Sequence, residues 1–134
     1  MSAMQRRKGA TGEREVCTLI RDYLGIDAKR NWQGQSACGG EDIASIPGYA
    51  VEVKFTARAS VPAWWNQAQE QAKKAKAIPA LVWRLTGVGR GLSPLQKWRV
   101  RLPLYAVTKD APDDDAWCEL SLGAWFDLLR ERMK

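Results

Sequence analysis

The spacing of apolar residues along this chain changes several times, and each change marks an element. Over 12–24, Val16, Leu19, Ile20, Tyr23 and Leu24 recur at helical spacing and form one stripe, with Gly25 as a C-terminal stop. Residues 26–33 predict a short strand and 34–40 a loop. Residues 43–46 and 49–54 flank Pro47-Gly48 and read as a β-hairpin. Ser60, with Pro62 in the first turn, opens a helix expected to run to Ala77, where Pro79 stops it. Residues 80–85 predict a strand, 86–94 a Gly-rich loop, and 98–108 a strand broken by Pro103. An acidic turn over 111–115 follows, and Ser121 caps a last helix reaching Met133. The order is αβββαβ with a C-terminal strand and helix. It predicts one α/β domain over 1–134, a mixed central sheet flanked by helices.

The hairpin carries the candidate chemistry. Tyr49, Val51 and Val53 share one face of their strand, and Glu52 and Lys54 share the other. Matching the apolar faces pairs Ile43 with Val51, through a connection centred on Pro47. That register sets Asp42 opposite Glu52. Two carboxylates side by side repel each other unless a cation compensates them. Mg²⁺, with its preference for hard oxygen donors, suits such a pair. The alternative is a solvated face on which Lys54 only pairs with Glu52.

Two helices add polar groups to apolar stripes. Glu13 falls within the stripe of Val16, Ile20 and Leu24, whereas Arg14 and Glu15 do not. It either partners a site or complements the helix dipole. On the second helix Val61, Trp64, Ala68, Ala72 and Ala75 form the stripe, with Gln71 inside it and Gln67 at its edge. Lys73, Lys74 and Lys76 lie on other faces and read as solvated.

Composition narrows the chemistry. The chain has no His, which excludes Ser-His and Cys-His nucleophile pairs, His-ligated zinc and a His general base. Three scattered Cys form neither a disulfide framework nor an all-cysteine zinc site. No apolar run is long enough for a membrane span, and residues 1–10 lack the apolar core of a signal peptide, so a cytoplasmic protein is expected. The net charge of +6 is concentrated over 1–30 and 61–110, around a slightly acidic 31–60. That distribution suits a polyanion partner with a cation held in the middle. The seven Trp are read as core and interface packing; Trp64, Trp65 and Trp125 are interface candidates, with core packing the favoured reading.

These residues resemble the PD-(D/E)XK nuclease superfamily, and more narrowly the archaeal-type Holliday junction resolvases and related small phage endonucleases. The resemblance rests on Lys8-Gly9-Ala10-Thr11-Gly12-Glu13-Arg14-Glu15, similar to a K-G-x-x-x-E-R-E opening. It continues with Gly39-Gly40-Glu41-Asp42-Ile43, Val51-Glu52-Val53-Lys54, Gln67 and Ile78-Pro79-Ala80. It covers 6–85, leaving 86–134 as an appendage. Glu41 stands where the superfamily name has proline, and the basic Gly-rich stretch 86–101 has no place in the resolvase pattern. The resemblance implies a restriction-endonuclease-like core and a Mg²⁺-dependent DNA endonuclease, with Mn²⁺ able to substitute. Asp42, Glu52 and the Val53 carbonyl would hold the metal, and Glu13 would complete or support its shell. Lys54 would position or activate water, and Gln67 would help bind substrate or orient the site. Arg6, Arg7, Lys8, Arg30 and Ser36 would contact phosphates. Branched or junction DNA is the expected partner and a homodimer the expected assembly. A same-fold nicking or restriction-type nuclease and a non-catalytic nucleic-acid-binding module stay open.

Overall fold

A computed structural model describes residues 3–30, 43 and 45–133 of the chain. In chain order these form α1 (Ala3–Leu24), β1 (Tyr49–Thr56), α2 (Val61–Ala75), β2 (Ile78–Leu85), α3 (Pro94–Lys97), β3 (Arg99–Pro103), a 3₁₀ turn (Leu104–Ala106), β4 (Trp117–Ser121) and α4 (Leu122–Arg132). The strands make a mixed α/β sheet in the order β1-β2-β3-β4. β1 and β2 are parallel, joined by α2, and the other pairs are antiparallel. Single bridges from Val51 to Ile43 and from Ile43 to Arg30 extend the sheet beyond β1.

The two faces of the sheet have separate cores. Val51, Val53, Ala80, Val82, Val100 and Leu102 pack with Val16 and Ile20 of α1 and with Leu122, Trp125 and Phe126 of α4. On the other face Leu81 packs with Trp64, Trp65 and Ala68 of α2. Trp64, Trp65 and Trp125 are therefore buried within this chain and serve its core. No described helix is long and apolar enough to cross a membrane.

Several boundaries differ from the sequence expectation for identifiable reasons. α1 starts at Ala3 rather than Gly12, because its first turns are mostly exposed and carry no apolar stripe to read. Tyr23, assigned to the stripe, is 45% exposed. Gly25 does end the helix in the left-handed region (φ 71°), its N–H donating to the Arg21 carbonyl. α2 stops at Ala75, where Lys76 takes the same role at φ 55°. β2 begins at Ile78 and includes Pro79, which lies before the β3 ladder starts at Leu81, so its missing N–H removes no bond to β3. Of the strand expected over 26–33, Arg30 forms a bridge, and 31–33 lie outside the described residues. β3 ends at Pro103, and the tail contributes a second strand, β4, that had no clean alternation to reveal it.

Candidate active site

β1 presents the alternation expected of it. Val51 and Val53 enter the α1-side core, so Glu52 and Lys54 point to the α2 side, level with Leu81 and Trp83 of β2. Glu52 is 4% exposed, a charged residue in the interior of the sheet. Lys54 reaches it from the strand end, with Nζ 3.6 Å from Glu52 Oε1, and keeps part of its side chain in solvent.

The register read from the apolar pattern is present. The Ile43 N–H donates to the Val51 carbonyl (3.0 Å) and the Val51 N–H to the Ile43 carbonyl (3.1 Å). The connection turns at Ile46-Pro47-Gly48-Tyr49, where the Tyr49 N–H donates to the Ile46 carbonyl. Proline second and glycine third, with Gly48 at φ 84°, match a type II turn. Because backbone directions repeat every second residue, the Val53 carbonyl faces the same edge of β1 as that of Val51. Asp42 and Ser36 lie outside the described residues.

Glu13 takes part in a different pair. Its Oε2 accepts from Arg30 Nε at 2.7 Å, with both side chains largely buried. Arg30, Ile43 and Val51 are in register across the sheet edge, so Arg30 points to the α1 face. The structure thus brings Glu52 to Lys54 on one face and Glu13 to Arg30 on the other. Gln67 is exposed on α2, the helix that covers the Glu52 face. Arg6 and Arg7 are exposed on α1, and Lys8 Nζ donates to Thr86 Oγ1 and lies over the Phe55 ring.

Two features had no usable sequence signal. Arg30 also lines an open cleft of about 360 Å³ with Cys17 and with Arg14, Arg21 and Lys29, cations contributed by α1 and by the segment after it. Burial is the main cause that pushes the Cys17 thiol up in this cleft; Arg21 opposes it, Glu13 adds to it and Arg30 opposes it. Glu15, read as off the stripe, is drawn inward by polar partners. Its Oε1 accepts from Trp98 Nε1 at 2.9 Å and lies 3.7 Å from Arg84. Arg84 in turn stacks over Phe55 and Trp98. These contacts fasten α1 to β1, β2 and the start of β3 beside Lys54.

Comparison with protein-family models matches residues 4–117 to a family described as "Phage putative PDDEXK endonuclease". The chain belongs to this family. Glu52-Val53-Lys54 on β1, with Glu52 buried and Lys54 beside it, has the form of the (D/E)-X-K in the family's name. The PDDEXK match also runs through the Gly-rich stretch and β3, well past the 6–85 region that carries the residue-level resemblance. Comparison with curated proteins finds no match.

Proposed function

We propose that this PDDEXK family member is a Mg²⁺-dependent DNA endonuclease that hydrolyses phosphodiester bonds in branched DNA, acting as a homodimer. The observation that carries the nuclease reading is the Glu52–Lys54 pair, with a carboxylate buried in the sheet next to the Ile43–Val51 bridge. An ionised carboxylate at that depth needs compensating positive charge. Lys54 supplies one such charge, and a divalent cation, which favours carboxylate oxygens, would supply another. Among the described residues no three His, Cys, Asp or Glu side chains cluster. Asp42, the residue before Ile43, would therefore be the second carboxylate ligand, with the Val53 carbonyl as backbone ligand.

The metal would supply Lewis-acid stabilisation of the phosphate and a more acidic water. The chain's own groups do the rest. Glu52 and Asp42 would hold the cation at the strand, and Lys54 would donate toward the attacking water or the charge developing on the phosphate. Gln67, on the helix over that face, binds substrate or orients the site. Glu13 supports it at a distance by holding Arg30 in the bridge next to Ile43. Arg6, Arg7, Lys8, Arg30 and Ser36 contact phosphates on either side. The similarity of Lys8–Glu15 to the resolvase opening supports a junction substrate, and two cuts in one junction require two sites.

Cleavage of four-way, flap and linear duplex DNA in Mg²⁺ and in Mn²⁺ tests this. The junction is expected to be cut fastest, and Lys54→Ala and Asp42→Asn each to lower the rate at least about 100-fold, the scale of losing one stabilising group in a transition state. Faster cutting of linear duplex would replace the junction reading with a nicking or restriction-type one. Salt-sensitive DNA binding without cleavage in either metal would make the chain a binding module. Unchanged cleavage by Asp42→Asn would refute the metal site.

A further inference from the structure

The basic Gly-rich stretch after β2 has no role in the site described above, yet the fold brings it to that site's rim. β1 and β2 run in parallel and end together, with Thr56 level with Leu85. The Thr86 N–H donates to the Thr56 carbonyl at 2.9 Å, and Lys8 of α1 caps the same residue through Thr86 Oγ1. The loop 86–93 therefore springs from the strand end that carries Lys54. Its far end is fixed as firmly. Ser93 starts α3, its N–H donating to Gln96 Oε1, and Trp98 beyond it is fully buried.

Between those roots the loop has a defined form. Gly87, Gly89 and Gly91 all take positive φ (77°, 82° and 86°), and the Leu92 N–H closes a turn onto the Gly89 carbonyl. Val88, Arg90 and Leu92 alternate with the glycines and all face solvent, Val88 61% and Leu92 46% exposed. Residues 86–101 contain no acidic side chain. Lys97 lies against Gly89, and Lys8 and Arg58 flank the same end of the sheet. Apolar side chains held in water around an arginine, on a rooted loop without countercharge, have a recognisable use. Arginine enters narrow grooves or binds phosphate, and apolar wedges press against base steps.

We propose that 86–93 is a DNA-contacting finger beside the cleavage site, with Arg90 against the duplex backbone or groove and Val88 and Leu92 packed on the DNA. This rests on the nuclease reading and extends it to a residue set that the reading does not use. The two kinds of contact leave different signatures. Removing a cation that displaces one counterion lowers the slope of log affinity against log salt by about 0.9. Removing an apolar contact weakens binding equally at every salt concentration.

The test measures binding of labelled duplex and four-way DNA by fluorescence anisotropy across a salt series. Lys54→Ala serves as parent, so that cleavage does not interfere. Adding Arg90→Ala is expected to weaken binding about 5- to 10-fold near 100 mM salt and to reduce the slope by about one. Adding Val88→Ser and Leu92→Ser together is expected to weaken binding with the slope unchanged. Lys74→Ala, at the opposite end of α2, is the control and is expected to behave as the parent. Thermal unfolding of each variant checks that the fold is intact. Parent-like binding by the Arg90→Ala variant would overturn the finger and leave the nuclease reading standing. Failure of the parent and wild type to bind DNA at all would overturn the nuclease reading and the finger with it.

Discussion

Glycine at two positions of α1 gives a matched pair of substitutions with opposite expected signs. A helix-interior Gly→Ala change is favourable by about 0.8–1 kcal/mol where nothing obstructs the new methyl. At Gly9 an added Cβ would meet nothing within 4 Å, so Gly9→Ala is expected to stabilise by roughly 0.5–1 kcal/mol. At Gly12 the same atom would stand 2.8 Å from Phe55 Cβ and 3.3 Å from Trp98 Cη2. Phe55 Cβ is rooted on the β1 backbone and cannot swing away, and Trp98 is fully buried. Relief requires α1 to lift from the sheet, and overpacking of this kind costs about 1–3 kcal/mol. Subtracting the helix gain leaves Gly12→Ala destabilised by about 1 kcal/mol, so the two variants separate by about 1–3 kcal/mol. Urea unfolding followed by circular dichroism measures this directly, provided the m-values agree. The same displacement would disturb Lys54, one residue before Phe55, so Gly12→Ala is expected to lose cleavage rate while Gly9→Ala keeps it. Equal stabilisation by the two substitutions would refute the close approach of α1 to β1 on which this reasoning depends.

Removing Glu13 leaves Arg30 largely buried without its carboxylate. Glu13→Ala is expected to cost roughly 1.5–3 kcal/mol, with Glu13→Gln intermediate, and wild-type stability for Glu13→Ala in urea would argue that the pair contributes nothing. Alkaline pH is expected to destabilise the fold. Burial, the first cause in each case, holds the folded-state pKa of Cys17 and Cys118 above the ordinary 9.0 and that of Tyr105 above 10.0. The unfolded chain therefore releases these protons first, so stability is full below the ordinary values and is lost as pH rises through the raised ones. Urea midpoints measured from about pH 7 to about pH 10.5 check this, and a flat profile would refute it.

The parts of the fold that could be read from sequence were those whose information is local. The hairpin register followed from one alternating strand and one Pro-Gly turn, and the bridge at Ile43 and Val51 agrees with it. Ser121 announced α4, its side chain accepting from the Ala124 N–H. The first turns of α1 were illegible because an exposed helix has no apolar period. β4 was illegible because Trp117–Ser121 is held by pairing with β3 and by Arg101, which stacks on Trp117 and pairs with Glu119. The partners of Glu15 were illegible for a related reason: helical periodicity locates apolar neighbours, and these partners are an indole N–H and a guanidinium distant in sequence. Of the candidate site, Glu52 and Lys54 were legible from alternation alone. The partner of Glu13 was not, since it depends on where the segment after α1 crosses the edge of the sheet.

The Lys8–Glu15 motif gains a physical account from these contacts. Lys8, Gly12 and Glu15 are spaced four and three residues apart and so share one face of α1. Lys8 holds Thr86 at the root of the Gly-rich loop, Gly12 lets the helix touch Phe55 and Trp98, and Glu15 joins Trp98 to Arg84. Glu13 lies on the adjoining face and fixes Arg30, whose bridge to Ile43 lies next to Val51. One short stretch of helix thus ties down both edges of β1 around Lys54, on the β2–β3 side through Glu15 and on the Ile43 side through Glu13. Neither carboxylate needs to touch substrate for its loss to impair the site. Each fixes a neighbour of the strand that carries Glu52 and Lys54, and under the proposed roles of those two residues a displacement of that strand by about an ångström would be enough to misplace the reacting groups.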